Sequence, residues 1–163
     1  MSQASRVKIA DRLTASKTTE QDVKEVLSRL RADDLREITS MVGNPHSREF
    51  ASACVNSPIC VTFFFDDKPF AVLGATEMWK GVWNAFMFGT DEMRKAGPRL
   101  TKHLAGMMQQ TMIEADAHRL CCYSAVWYKK AHKWLKHLGF KREATLSKWA
   151  ADKSNFAVFS IVR

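Results

Sequence analysis

The segment Gly89-Thr-Asp-Glu-Met-Arg94-Lys95-Ala96-Gly97-Pro98-Arg99 holds the side chains with the plainest chemical use. It lies between a run that reads as a strand and a run that reads as a helix. A helix start offers free N–H groups and the positive end of its dipole, a glycine lets backbone approach, and Arg or Lys adds charge. This spacing therefore predicts a site for phosphate or pyrophosphate. A basic loop with one glycine ahead of a helix is also an ordinary connection, so the segment alone does not fix a ligand.

Other reactive side chains are less ordered along the chain. His132 and His137 share a helical run, where a neutral imidazole can act as a base; their place among lysines predicts an exposed basic face instead. His46, His103 and His118 stand apart with no carboxylate or Cys at a ligand spacing, so no metal is expected. Ser124 has no His and acid at a recognisable spacing, which argues against a serine hydrolase. Cys54, Cys60, Cys121 and Cys122 form neither a C-x-x-C pair nor a zinc pattern and read as reduced core thiols. Trp79, Trp83, Trp127, Trp134 and Trp149 lie near lysines and could stack on bases, but their strand and helix spacing predicts core or interface.

These groups need a frame. The chain has 163 residues, with 25 Lys+Arg against 17 Asp+Glu for a net charge of +8, and 46% of it is hydrophobic. An ordinary domain of this length removes roughly 70% of its unfolded surface from water, so a disordered or collagen-like chain is excluded and one domain, 1–163, is expected. No apolar run approaches the roughly 20 residues that span a bilayer, and Met1 to Thr19 lacks an apolar h-region, which predicts a cytoplasmic protein. The excess charge crowds the last third, at Lys129, Lys130, Lys133, Lys136, Lys141, Arg142, Lys148 and Lys153, where it favours an anionic partner or a solvated face.

Residues 1–18 predict a short first strand or a loose arm. Thr18-Thr19-Glu20-Gln21-Asp22 reads as a helix start, and Val23, Val26, Leu27 and Leu30 follow at helical spacing. Ala32-Asp33-Asp34 caps a second segment that ends at Gly43, and Ser47 to Cys54 is a third. Ile59 to Phe65, Phe70 to Met78 and Val82 to Phe88 predict three antiparallel strands. Arg99 to Ala115 is an amphipathic helix, with Met107, Met108 and Met112 packed inward. Leu120 to Val126 is a strand, Trp127 to Leu138 a helix closed by Gly139, and Phe156 to Val162 a last strand. The order is α+β, and the crossover from Val82 through the long helix to Leu120 requires those two strands to be parallel in a mixed sheet.

This order resembles the GNAT acetyltransferase family over most of the chain. Family members carry R/Q-x-x-G-x-G/A where this chain has Arg94-Lys-Ala-Gly97-Pro-Arg99, and N-x-x-A-x-x-x-Y-x-x-x-G-F where it has Tyr128-Lys-Lys-Ala131-His-Lys-Trp-Leu135-Lys-His-Leu-Gly139-Phe140. A narrower likeness, to small GNAT-like proteins of T7-like bacteriophages, rests on four segments. They are Val26-Leu-Ser-Arg-Leu-Arg-Ala-Asp-Asp-Leu-Arg-Glu-Ile, Lys68-Pro-Phe-Ala-Val-Leu-Gly, Phe88-Gly-Thr-Asp-Glu and His132-Lys-Trp-Leu-Lys-His-Leu-Gly-Phe.

The resemblance implies a GNAT-like fold with a central mixed, mostly antiparallel sheet, acetyl-CoA as co-substrate and transfer of acetyl to an amine of a protein or small molecule. The edge of Met87, Phe88 and Gly89 would pair with the pantetheine arm. The amides from Lys95 through Ala96 and Gly97 to Leu100, with Arg94 and Arg99, would hold the pyrophosphate. Glu77 would serve as the base, unless it is simply a solvent-facing strand residue, and Tyr128 would take over as the acid. The chain departs from the pattern where the family's Tyr falls on Leu135, its Asn on Tyr128 and its second small residue on Arg99, while Pro98 removes one amide. These departures imply the alternative of a protein that has lost catalysis and works by contact with a host enzyme or inside a virion. Nucleic acid and membrane are not expected partners.

Overall fold

Among the described residues, 5–163, the computed structural model contains eight strands and five helices. The expectation for residues 1–18 is corrected in part. Strands β1 (Val7–Ala10) and β2 (Leu13–Lys17) form a hairpin with Arg12 in its turn at φ 61, and residues 1–4 lie outside the described residues. Only Leu13 and Ala15 carry the inward pattern of β2, which is too short an alternation to stand out in sequence.

Helix α1 (Glu20–Leu27) starts where its capping signal places it. Asp22 N–H donates to Thr19 Oγ1 at 3.2 Å while Thr19 N–H donates to the Asp22 carboxylate at 2.9 Å, a reciprocal pair that satisfies two free donors. Helix α2 (Ala32–Val42) stops at Gly43, which takes φ 79, and Ser47 caps α3 (Arg48–Val55) by accepting from Phe50 N–H at 3.1 Å.

β3 (Ile59–Phe65), β4 (Lys68–Trp79) and β5 (Val82–Gly89) follow as an antiparallel meander. The chain then crosses through α4 (Met93–Glu114) to β6 (Arg119–Ala125), which runs parallel to β5 as the crossover requires. Helix α5 (Lys129–His137) leads to β7 (Lys141–Leu146) and β8 (Phe156–Val162), giving one mixed sheet in the order β1-β2-β3-β4-β5-β6-β8-β7.

Alternation along the strands builds a core on each face. Phe63, Phe65, Phe70 and Phe159 pack with Leu100 and Leu104 of α4, and Cys60, Val72 and Phe88 pack with Val23, Val26 and Ile38 of the opposite helices. All four cysteines are free and buried as expected, and burial pushes the Cys54 thiol up to about 12. Two further departures concern element bounds. α4 begins at Met93 rather than Arg99, because Gly97-Pro98 mimics a loop although Pro98 is carried inside the helix. β7 escapes the sequence reading because it is an edge strand, exposed over Lys141–Thr145 and rich in charge.

Candidate functional site

The parallel pair β5/β6 keeps register only at Val82↔Arg119, Trp83↔Leu120 and Asn84↔Cys121. Beyond that point each strand stays with its other neighbour, β5 through Gly89↔Ala71 and β6 through Ala125↔Phe156, so the two part into an opening. An opening at the carboxyl ends of parallel strands is where sheets of this kind receive ligands.

The first turn of α2 enters this opening. Arg31 N–H donates to Gly89 O at 3.0 Å, and Gly89 N–H donates to Asp34 Oδ2 at 2.7 Å. The other Asp34 oxygen accepts the Tyr128 O–H at 2.6 Å, and the Arg31 guanidinium closes on the same carboxylate at 2.8 Å. One turn on, Glu37 Oε1 accepts Ala125 N–H at 2.6 Å and the Ser124 O–H at 2.8 Å. Asp34 and Glu37 reach both strand ends because residues three apart share a helix face. Asp34 is 4% exposed. Burial, only partly offset by its two donors, pushes the Glu37 carboxyl up to about 7. Burial and then the Asp34 charge hold the Tyr128 phenol well above its ordinary range.

The segment expected to cradle a pyrophosphate lies in the first turns of α4, which starts earlier than expected. The N–H groups of Met93, Arg94, Lys95 and Ala96 donate to Thr90 O, Asp91 O and, for the last two, Glu92 O, at 2.9 to 3.1 Å. Amides from Lys95 to Leu100 therefore belong to helix, and Ala96, Gly97 and Leu100 are buried in its packed face. Arg94 and Lys95 are exposed and available, with Arg94 3.9 Å from Asp91. Arg99 turns elsewhere, its guanidinium 5.7 Å from the Phe65 ring centre. The helix's positive end already carries an anion, since Glu92 accepts from the Thr90 hydroxyl and pairs with Arg29 at 3.0 Å.

No protein-family model matches the chain, and no curated protein matches it in sequence. Solved structures match it in three dimensions. A GNAT-family acetyltransferase from Bacillus anthracis superposes with a TM-score of 0.74 at 13% identity, covering 97% of this chain and 98% of that one. The microcin C7 self-immunity acetyltransferase MccE, in complex with acetyl-CoA and AMP, gives 0.73 at 16% identity over 96% of each chain. RimL, the ribosomal L7/L12 alpha-N-protein acetyltransferase in complex with coenzyme A, gives 0.72 at 12% identity over 97% and 98%. The fold is that of the GNAT acetyltransferases.

Against the GNAT frame the remaining expected residues can be placed. Met87 is half-buried on β5, while Phe88 points into the core beneath α1 and α2. Glu77 is exposed on β4, opposite Trp83 at the start of β5 and away from the opening, where its Oε1 accepts Gly81 N–H at 2.8 Å and so closes the β4–β5 turn. Glu77 and Tyr128 are thus not brought together. Leu135 is half-buried in the core on the α4 face.

His132 corrects the expectation of an exposed basic imidazole. It is buried with Nε2 donating to Ala125 O at 3.0 Å, since a carbonyl can only accept, and burial lowers its pKa from the ordinary histidine value. His137 is exposed. Among the described residues no group of three His, Cys, Asp or Glu is placed to hold a metal, and no helix is long and apolar enough to cross a membrane.

Asp34 and Glu37 are the site residues that the sequence reading passed over. An acidic residue in the first turn reads as a helix cap, and Asp34 in fact makes no cap bond. The one available signal was a second acid three residues on, in a helix whose buried face has few apolar residues.

Proposed function

We propose that the chain binds acetyl-CoA and transfers its acetyl group to an amine, with the opening between β5 and β6 as the transfer site. The parting of these parallel strands after Asn84↔Cys121 carries the reading, in a chain whose fold is matched along nearly its whole length by structures that include CoA and acetyl-CoA complexes. The fit is partial. Met87 lies on a strand edge for the amide-bearing pantetheine arm, and Arg94 and Lys95 offer exposed charge for the pyrophosphate, but Gly89 is engaged by Arg31 and Asp34 and the amides of Met93 to Ala96 are bonded within the helix start.

The coenzyme supplies the activated acyl group. This chain's residues would orient it, exclude water and move protons. Glu37, with a carboxyl near neutrality and only one oxygen engaged, suits acceptance of the amine proton better than Glu77 does. Tyr128 is the hydroxyl nearest in role to the missing family tyrosine. The test is the melting temperature titrated with acetyl-CoA, CoA and ADP. Ligand at about 100 times Kd should add roughly 2.7 kcal/mol, a rise of several degrees. The rise should vanish in Arg94→Ala/Lys95→Ala and persist in Arg99→Ala.

A second reading is favoured by three observations: Leu135 in the place of the acid, the closed amides of Met93 to Ala96, and Glu92 at the helix start. In it the fold is kept without transfer and the protein acts by contact, with a host enzyme or within a virion as the likeness to small phage proteins suggests. No melting shift at millimolar coenzyme would select this reading and discard the first.

A further inference from the structure

We infer that the first turn of α2 is a built-in occupant of the opening, filling on Gly89 the hydrogen-bonding positions that an amide-bearing acyl-CoA arm would need, so that the arm enters only when this turn swings out. The inference rests on the coenzyme reading above.

Strand geometry identifies the contested groups. Gly89 turns both its N–H and its C=O into the opening, toward Asp34 and Arg31, and with the two-residue period of a strand Met87 and Ala85 turn the same way. An open strand edge is completed by any extended group that carries amides. Here the chain completes part of the edge itself. Leu30 pairs antiparallel with Thr90, so the residues leading into α2 add one rung to the end of β5. Gly89 is also the edge position closest along the chain to the exposed Arg94 and Lys95 of α4, so an arm running from phosphates held there into the opening would meet it first.

The turn is built to release. The buried residues of α2 are Asp34, Ile38 and Ser40, a single apolar side chain among two polar ones, so this helix is held by hydrogen bonds more than by core. Segments with little buried apolar surface come from the less stable end of a fold, and the cost of opening this one is set by the bonds of Arg31 and Asp34 to Gly89 and Tyr128. Affinity for a ligand that needs the open form is reduced by the fraction of molecules that are open.

The experiment compares the full chain with Asp34→Ala and with Leu30→Cys/Thr90→Cys, which ties the turn to β5 when oxidised. Acetyl-CoA affinity is read by calorimetry and the Gly89 and Ala125 amides by hydrogen exchange. Expected are faster exchange at Gly89 and at least tenfold tighter binding in Asp34→Ala, and weaker binding in the tied variant that reductant restores. The tied variant keeps the test valid should Asp34→Ala fail to fold. Equal, measurable affinity in all forms would overturn the inference and leave the coenzyme reading standing. No binding in any form, with Gly89 exchange released in Asp34→Ala, would overturn both.

Discussion

Glu37 sets the clearest prediction at the scale of the residue. Its carboxyl is raised from 4.5 to about 7 in the folded chain by burial. A group raised on folding contributes stability that is complete below its unfolded pKa and lost as pH rises through the folded one. Stability should therefore fall between about pH 4.5 and pH 7, by an amount on the order of 3 kcal/mol. Glu37→Gln keeps an oxygen for Ala125 N–H and Ser124 and removes the titration. Its melting temperature should exceed that of the natural chain above pH 7 and converge with it near pH 5; parallel curves would refute the assignment. Tyr128→Phe tests the neighbouring contact, because it strips Asp34 of the 2.6 Å O–H donor within a buried site. The expected loss is about 2 kcal/mol in urea unfolding. Neither residue's partners were legible in the sequence. Acid at a helix start and Tyr at another are common, and the contacts join positions 94 apart for Tyr128 and 88 apart for Glu37.

Elements were legible where their period was strong. β3 to β5 and β8 announce themselves by β-branched and aromatic residues, and the parallel placement of β5 and β6 follows from the crossover alone. The parting of those strands has no local sequence signal, since each strand's register beyond Asn84 and Cys121 is set by its other neighbour. The start of α4 is hidden by Gly97-Pro98, which reads as a loop although the helix runs through it from Met93. Packing between elements is equally hidden. A Cβ on Gly74 of β4 would lie 2.2 Å from the Phe86 ring of β5, which stacks on Phe88 with centroids 6.3 Å apart. Gly74→Ala should then cost roughly 1–3 kcal/mol by overpacking. In a Phe86→Leu background the same change should cost less, giving a coupling that a double-mutant cycle reads directly. Additive losses would show that the ring does not cover the glycine.

The whole molecule carries +8, and its distribution is a physical liability whichever function holds. Among the described residues none of the eight cations from Lys129 to Lys153 takes part in an ion pair. Helix α5 places Lys129, Lys130, Lys133 and Lys136 within nine residues, with lysine rather than acid at its uncapped start. Like charges three and four apart repel, and cations oppose the positive end of the dipole. Salt screens this repulsion, since the Debye length shrinks from about 30 Å at 0.01 M to about 8 Å at 0.15 M. The melting temperature should rise with sodium chloride over that range. Lys129→Glu/Lys133→Glu, which halves the net charge, should melt higher at low salt and lose its advantage as salt is added. A natural chain whose stability is flat or falls with salt would mean that the lysines are compensated through space by carboxylates beyond ion-pair distance. In that case the basic face would hold no excess field with which to draw an anionic coenzyme or an acidic partner.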